Sequence, residues 1–330
     1  MANAIPMVEL WRGGLLESSH SGHAVIWGPE GIIESWGDPD AVIFPRSSCK
    51  MLQALPLVES GAAAAAGLTD RHLALSCASH QGADLHVGMT GRWLADLGFA
   101  ETDLRCGSHE PYDTASARAL VLAQQTPCQL HNNCSGKHCG FLTMNQHIKG
   151  DPEYTEVDHP LQALIRQTTE EVTQETVAGW GIDGCSAPNF AGTMSGFARA
   201  MHSFAAASDG GDARSRAMYR LTHAMAAHPE LVAGEGRSCT ELMRAMDHKV
   251  AIKTGAEAVF FAIIPARQIG IALKITDGAT RASEAAITAL LVRLGVLDPG
   301  HPMAQKRLPA VQTSRRGLVT GELRLAPGFA

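Results

Sequence analysis

Hydrophobic and polar positions follow a strand-like pattern near both ends of the chain. Between Met7 and Phe44, the runs MVELWR, HAVIW and IIESW predict strands, and a four-residue hairpin loop, Gly28-Pro29-Glu30-Gly31, separates the last two. Strand patterns return late in KVAIKTG, AVFFAIIP and IGIALKIT, before a helical pattern in SEAAITALLVRLG. We therefore expect the two terminal regions to contribute strands to one antiparallel sheet.

The middle of the chain has mainly helical periodicity. A first helix is expected in KMLQALPLVES, where Pro56 should kink it or end its regular part and Gly61 should stop it. Further helices are predicted in LHVGMTGRWLADLG, SGKHCGFLTMNQHI, LQALIRQTTEEVTQE, ARSRAMYRLTHAMAAH and TELMRAMDHK. The fold class is α+β. We expect one catalytic unit over residues 1–330, with a sheet lobe at 1–46 and 249–330 and a mainly helical lobe at 47–248.

Composition and charge narrow the class of protein. Of the 330 residues, 45% are hydrophobic and 18% charged, which is typical of a globular chain. The net charge is −6 and no basic run occurs, so nucleic acid is not an expected partner. No apolar stretch is long enough to span a membrane, and the first residues lack the pattern of a secretory signal. We expect a cytoplasmic protein whose eight cysteines are thiols or metal ligands.

Ser47 and Lys50 are the first candidates for catalysis. Their spacing of three places them on one face of the predicted helix, where the amine can act as base for the hydroxyl. The backbone N–H groups at a helix start would favour negative charge on an attacked carbonyl oxygen. Alone the pattern is weak, since Ser47 could be an ordinary N-cap and Lys50 a solvated cation.

A second motif, Lys253-Thr254-Gly255, ends the strand-like run VAIKTG. An early Ser-x-x-Lys and a late Lys-Thr-Gly are the outer motifs of the penicillin-recognising serine enzymes. The middle Ser-Asp-Asn motif of those enzymes is absent, and its candidate replacements lie at 76–81 and 131–135. The departure indicates a relative with a different substrate.

Five long segments resemble the rhizobial-type, zinc-binding L-asparaginases. They are PRSSCKMLQALPLVESGAA, LALSCASHQGADLHVGM, HNNCSGKHCGF, GWGIDGCSAPNFA and AIKTGAE, at 45–63, 73–89, 131–141, 179–191 and 251–257. The resemblance implies a fold like that of serine β-lactamases and penicillin-binding proteins. It also implies a homodimer that hydrolyses L-asparagine to L-aspartate and ammonia.

The resemblance further implies roles for individual residues. The catalytic residues would form two serine–lysine pairs, Ser47 with Lys50 and Ser79 with Lys253. The ligands of a Zn²⁺ ion would be Cys134, Lys137 and Cys185. The substrate contacts would be Arg46, His138 and Asp183.

Spacing alone would have selected a different metal site. Cys134, His138 and Cys139 carry the thiolates and imidazole that zinc prefers. Lysine must lose a proton near pKa 10.4 before it can bind a metal, so a site with Lys137 should have a modest, strongly pH-dependent affinity. Alternatively, Cys134 and Cys185 could be buried apolar thiols.

Two other functions stay open from the sequence. The first is another serine amidohydrolase, such as a glutaminase or a β-lactam hydrolase, because one methylene changes binding by only about 1–3 kcal/mol. The second is a non-catalytic protein that binds an amino acid or zinc. The presence of both serine–lysine pairs argues against the second, since a sensor needs no paired bases.

Overall fold

The structure is a computed structural model that describes residues 3–329. The chain divides into two compact units. We call the first the sheet unit; it consists of Met1–Ser48, Gly192–Ala206 and Glu241–Ala330. The second, the helical unit, consists of Cys49–Ala191 and Ala207–Thr240.

The strands lie mostly near the two ends of the chain. They are β1 (Ile5–Arg12), β2 (Leu15–Gly28), β3 (Gly31–Trp36), β4 (Val42–Ile43), β5 (Gly179–Ile182), β6 (Pro188–Thr193), β7 (Ala251–Thr254), β8 (Val259–Ile264), β9 (Ile269–Ile275), β10 (Ala310–Thr313) and β11 (Val319–Leu325). The large sheet has the order β10-β11-β1-β2-β9-β8-β7, with β3 paired to β2, and its pairs are antiparallel. The predicted α+β class and the sheet built from both terminal regions are confirmed.

Most helices lie between β4 and β7, and the last two follow β9. They are α1 (Lys50–Glu59), α2 (Ala62–Ala65), α3 (Asp70–Ser76), α4 (Asp84–Asp96), α5 (Thr114–Leu122), α6 (Ser135–Ile148), α7 (Pro160–Thr173), α8 (Met194–Ala206), α9 (Ala213–Ala227), α10 (Pro229–Val232), α11 (Ser238–Ala245), α12 (Thr280–Arg293) and α13 (Pro302–Gln305). None of the helices within residues 3–329 is long and apolar enough to cross a membrane.

Each unit has its own core. In the sheet unit, β8 and β9 are buried at every position, so both faces of these strands are covered, and α8 and α12 pack against them. In the helical unit, α1 packs against α6, α7 and α9, while α3 packs against α6 and α9. These contacts bury the apolar stripes that gave the middle of the chain its helical periodicity.

Some local features differ from the sequence predictions. The hairpin between β2 and β3 has a two-residue loop instead of four, because Gly28 and Gly31 pair with each other. The first α-helix begins at Lys50, after a 3₁₀ turn at Arg46–Cys49, so Ser47 is not its N-cap. Pro56 lies inside α1, which continues to Glu59, and Gly61 then takes the left-handed conformation (φ +84°) that helps to end the helix.

Candidate active site

Lys50 has a buried amine with three hydrogen-bond acceptors around it. It is the first residue of α1, and only 1% of it is exposed. Its Nζ donates to Ser79 Oγ at 3.0 Å, to Cys134 Sγ at 3.1 Å and to the carbonyl oxygen of Ala78. A lysine ammonium has three hydrogens, so each one has an acceptor. These bonds offset the cost of removing the amine from water.

Ser79 lies in the loop that follows α3, and backbone hydrogen bonds fix this loop. The N–H of Ser79 donates to the carbonyl oxygen of Val232 at 2.9 Å, and the N–H of His80 donates to that of Asn133 at 3.1 Å. The Ser79 hydroxyl is therefore held at the Lys50 amine by the backbone on either side. From the sequence we expected Lys50 to pair with Ser47. In the structure the Lys50 amine donates a hydrogen bond to Ser79.

The three predicted zinc ligands lie close together. Cys134 is the N-cap of α6, and its N–H donates to Asn132 Oδ1 at 2.8 Å. Lys137 follows in the first turn of α6, and its Nζ donates to Cys185 Sγ at 2.9 Å. The thiol groups of Cys134 and Cys185 are hydrogen-bonded to each other. Together with Lys50, these side chains form one connected network inside the helical unit.

The charges in this network favour the thiolate form of Cys185. The hydrogen bond from Cys134, aided by the ammonium groups of Lys137 and Lys50, holds the pKa of Cys185 well below its usual range, although burial opposes this. The same hydrogen bond, together with burial, raises the pKa of Cys134 to about 12. Burial would lower the pKa of Lys137, but its interactions with Cys185 and Cys134 outweigh burial and raise this pKa. These directions favour a thiol at Cys134, a thiolate at Cys185 and an ammonium at Lys137.

This donor set fits a zinc ion. Two sulfurs and one nitrogen from three side chains are ligands that zinc accepts, and a fourth position would stay open. Within residues 3–329, no group of three His, Cys, Asp or Glu side chains could hold a metal, so a site here needs the Lys137 amine. Cys185 already has the ligating form, whereas Cys134 and Lys137 would have to lose protons. Cys139, which spacing had suggested, instead directs its thiol to the carbonyl oxygen of Thr90 at 3.9 Å.

His138 and Asp183 also belong to the helical unit. The Nδ1 atom of His138 lies 2.9 Å from the hydroxyl of Tyr154, which already accepts a hydrogen bond from the N–H of Arg105 at 2.8 Å. The Tyr154 hydroxyl therefore links the His138 ring to the backbone at Arg105. Burial lowers the pKa of His138 well below its usual range, so the ring is neutral. The Asp183 carboxylate contributes to raising the pKa of Lys137.

The sheet unit holds the other predicted site residues. Arg46 and Ser47 lie in the 3₁₀ turn before α1, and Arg46 takes the left-handed conformation with φ +51°. The hydroxyl of Ser48 donates to the carbonyl oxygen of Val259 at 3.0 Å. In the described part of the chain the Ser47 hydroxyl makes no hydrogen bond. Of the two adjacent serines, Ser48 therefore has a structural role, and Ser47 has its hydroxyl available.

Lys253 lies on β7, the edge strand of the large sheet. Only 1% of the residue is exposed, and its Nζ donates to the carbonyl oxygen of Thr254 at 2.7 Å. The glycine of the Lys-Thr-Gly motif is needed for packing, because a Cβ at Gly255 would lie 2.8 Å from Ser48 Oγ and 3.0 Å from Ser48 N. The motif thus lets the end of β7 approach the serine turn closely.

The structure also shows contacts that sequence reasoning missed. Nothing in the sequence indicated that Lys50 would bind both Ser79 and Cys134, which connects a predicted catalytic pair with a predicted zinc ligand. The Ala78 carbonyl and the Tyr154 hydroxyl were missed as well. The only available signal was their position inside or near the segments that carry the family resemblance.

The class of the protein, that of an amidohydrolase, is given by a family match. The chain belongs to the L-asparaginase II family, whose family model matches residues 8–325. The predicted asparaginase family is confirmed. No curated protein sequence matches the chain.

Among solved structures, the chain is similar to a β-lactamase from Mycobacterium bovis, with 12% identity, a TM-score of 0.47 and coverage of 84% of this chain and 95% of that chain. It is also similar to a putative β-lactamase from Bacteroides dorei, with 10% identity, a TM-score of 0.41 and coverage of 77% and 85%. A third is the octameric penicillin-binding protein homologue from Pyrococcus abyssi, with 9% identity, a TM-score of 0.36 and coverage of 91% and 81%.

Proposed function

We propose that this chain hydrolyses L-asparagine to L-aspartate and ammonia, with Ser47 as the nucleophile. Membership of the L-asparaginase II family supports an amino-acid amide as substrate. The observation that carries the mechanism is the buried Lys50 amine, which is held 3.0 Å from Ser79 Oγ and begins the helix directly after the serine turn. A fixed amine at a serine hydroxyl is a suitable base for nucleophilic catalysis.

The proposed reaction has two stages. In the first, the base is the neutral form of Lys50, which has one N–H fewer than the ammonium described above. It takes the Ser47 proton while Ser47 Oγ attacks the side-chain amide carbon of asparagine. The C–N bond then breaks, the proton passes to the leaving nitrogen and ammonia departs, leaving a β-aspartyl ester on Ser47. In the second stage, water attacks this ester, which releases L-aspartate and restores the serine. Ser79 passes the proton between Lys50 and Lys253, which is the second catalytic lysine.

Recognition of the free amino acid is assigned to three residues. Arg46 is suited to the α-carboxylate and Asp183 to the α-ammonium group, because opposite charges give strong, directional hydrogen bonds. His138, whose imidazole is neutral, is assigned a hydrogen bond to the substrate. These charged partners would favour a free amino acid over an asparagine side chain within a protein.

Cys134, Lys137 and Cys185 are the proposed ligands of a Zn²⁺ ion. When bound, the ion supplies positive charge that positions the substrate. Without it, the chain's own charges keep the site ordered, because the Cys185 thiolate is bonded to Lys137 and Cys134. The homodimer and the cytoplasmic location implied by the resemblance also stay predictions.

Ammonia release from L-asparagine, measured for Ser47→Ala beside Ser48→Ala, tests the proposal. We expect Ser47→Ala to lose turnover and the covalent adduct seen by mass spectrometry. Ser48→Ala should keep turnover, because it loses only the hydrogen bond to Val259, about 1 kcal/mol. Appreciable hydrolysis by Ser47→Ala would reject the nucleophile. Faster release of ammonia from L-glutamine would reject the substrate and leave the nucleophile in place.

A further inference from the structure

We propose that His80 is a positioning residue that fastens the Ser79 loop to the start of α6. Through these two segments it holds both side chains, Ser79 and Cys134, that accept hydrogen bonds from the Lys50 amine. His80 has no role in the chemistry derived above and makes no hydrogen bond to Lys50. Its effect on turnover rests on the proposed function, whereas its effect on the geometry of Lys50 does not.

Two hydrogen bonds from His80 bracket Cys134. The N–H of His80 donates to the carbonyl oxygen of Asn133 at 3.1 Å, and its ring atom Nε2 lies 2.9 Å from Ser135 Oγ. Asn133 and Ser135 are the residues directly before and after Cys134, and His80 directly follows Ser79. The residue is completely buried, so water does not compete for these bonds. A single residue therefore ties together the backbones that carry the two acceptors.

The direction of the side-chain bond is fixed. The N–H of Gly82 donates to His80 Nδ1 at 3.1 Å, so Nδ1 presents its lone pair and Nε2 carries the proton. Nε2 then donates to the Ser135 hydroxyl, which in turn donates to the carbonyl oxygen of Leu130 at 3.0 Å. Gly82 has φ +71°, and a Cβ there would lie 2.9 Å from the carbonyl oxygen of His131, so the tight turn needs glycine.

His86 supports the ring from one side. The two imidazoles are stacked, with centroids 4.7 Å apart and an interplanar angle of 7°. His86 Nε2 donates to the carbonyl oxygen of Glu230 at 2.9 Å. Glu230 lies in α10, and the carbonyl oxygen of Val232 at the end of the same helix accepts the Ser79 N–H. The Ser79 loop is thus held both by α10 and by the bonds of His80.

Substitutions at His80 can separate its two side-chain bonds. The amide nitrogen of glutamine can occupy the position of Nε2, so His80→Gln keeps a donor for Ser135. The shorter asparagine side chain keeps an acceptor for Gly82 but does not reach Ser135. We expect His80→Gln to retain kcat within a few-fold, and His80→Asn to lower kcat by about 10- to 100-fold with KM little changed, because small displacements of catalytic groups are costly.

Two further variants complete the experiment. Ser135→Ala removes the acceptor and should lower kcat as His80→Asn does, and the double variant should be no worse than either single one. Ser135→Ala also serves as the test if His80→Asn fails to fold. His72→Gln is the matched control: His72 Nδ1 also accepts a backbone N–H in the helical unit, from Thr69 at 3.2 Å, but His72 makes no bond to the Ser79 loop or α6.

A crystal structure of His80→Asn gives a readout that does not depend on activity. We expect the Lys50 Nζ to Ser79 Oγ distance to exceed hydrogen-bonding range. Retention of the 3.0 Å contact, with equal kcat for His80→Gln and His80→Asn, would overturn the proposal. If the unmodified protein releases no ammonia from L-asparagine, the proposed function fails, and the crystallographic distance still decides whether His80 positions Lys50.

Discussion

The amine of Lys50 lies 3.0 Å from the hydroxyl of Ser79, although 29 positions separate the two residues in the chain. The same nitrogen lies 3.1 Å from the thiol of Cys134. Lys50 therefore joins the proposed serine chemistry to the proposed metal ligands, and its positive charge favours the thiolate forms of both Cys134 and Cys185. A change at Lys50 should consequently affect both parts of the site.

Replacement of Lys50 by methionine tests the base. Lys50→Met keeps an unbranched side chain of similar length and removes the amine. We expect kcat for L-asparagine to fall by at least about 10²- to 10⁴-fold, the usual contribution of a general base. Lys249→Met is the control, because this lysine is exposed and pairs only with Asp247. Lys50→Met activity within tenfold of the unmodified protein would contradict the assignment.

Zinc affinity should rise steeply with pH. In the metal-free site the pKa of Cys134 is raised to about 12 and that of Lys137 is raised as well, so ligand binding must displace protons from both. Each displaced proton strengthens apparent affinity by up to about tenfold per pH unit. Isothermal titration calorimetry in buffers of different ionisation enthalpy measures the number of protons released. We expect a number close to two.

Two cysteine variants distinguish the alternative metal sites. Cys185→Ser should abolish zinc binding, because it removes the thiolate that is bonded to Lys137 and Cys134. Cys139→Ser should leave zinc binding intact, since the Cys139 thiol is directed to Thr90. The opposite result would favour the site that spacing alone had suggested.

Dialysis of the loaded protein against a chelator should raise KM more than it lowers kcat.

Several segments of the sequence predicted their elements well. The run SGKHCGFLTMNQHI coincides with α6, and the apolar runs AVFFAIIP and IGIALKIT contain β8 and β9. The two strands are buried at every position, so a continuous apolar run of strand length was the signal, whereas α6 is buried from Ser135 to Asn145 without a helical period. β10 and β11 were missed as well. β10 has only four residues, whereas β11 alternates polar with apolar residues from Glu322 to Leu325, so a signal was present there. For α8 a signal existed, since its buried residues Met194, Phe197, Ala198 and Met201 have helical spacing.

The candidate site could be predicted as a list of residues but not as an arrangement. Lys137 and Cys185 are 48 positions apart, and the segment between them contains α7 and part of the β5–β6 hairpin. No local periodicity relates residues at such a distance, so only the resemblance joined them. The bond from Lys50 to Cys134 crosses 84 positions and was not expected at all. Such contacts depend on how α1, α3 and α6 pack, which the sequence pattern does not determine.

Gly270 should be essential for the core of the sheet unit. It lies on β9, and a Cβ at this position would come within 2.1 Å of His202 N and 2.3 Å of the carbonyl oxygen of Ala198, both backbone atoms of α8. A helix backbone cannot yield as a flexible side chain can, so Gly270→Ala should destabilise the protein by at least about 1–3 kcal/mol in urea unfolding. Gly210→Ala, with nothing within 4 Å of the new Cβ, should change stability by less than about 0.5 kcal/mol.

Stability should decrease as the pH falls below about 6.5. Burial lowers the pKa of His80 and of His138 well below the usual range, so both imidazoles stay neutral in the folded protein. In the unfolded chain they protonate near pH 6.5. The unfolded state therefore binds more protons in this window, and the free energy of unfolding falls by up to about 1.4 kcal/mol per pH unit for each histidine. Urea midpoints at pH 7.5, 6 and 5 measure the slope.

His80→Gln isolates the contribution of one histidine to this acid sensitivity. Glutamine does not titrate, so the variant should lose stability less steeply between pH 6.5 and 5, by up to about 1.4 kcal/mol per pH unit, even where its stability at pH 7.5 is lower. His147→Gln is a suitable comparison, since this histidine is exposed in the last turn of α6. A slope unchanged by His80→Gln would mean that the ring binds its proton over the same pH range in the folded and the unfolded protein. The hydrogen bond from Gly82 to Nδ1 opposes protonation of the ring in the folded protein, because a protonated ring would place two N–H donors against each other.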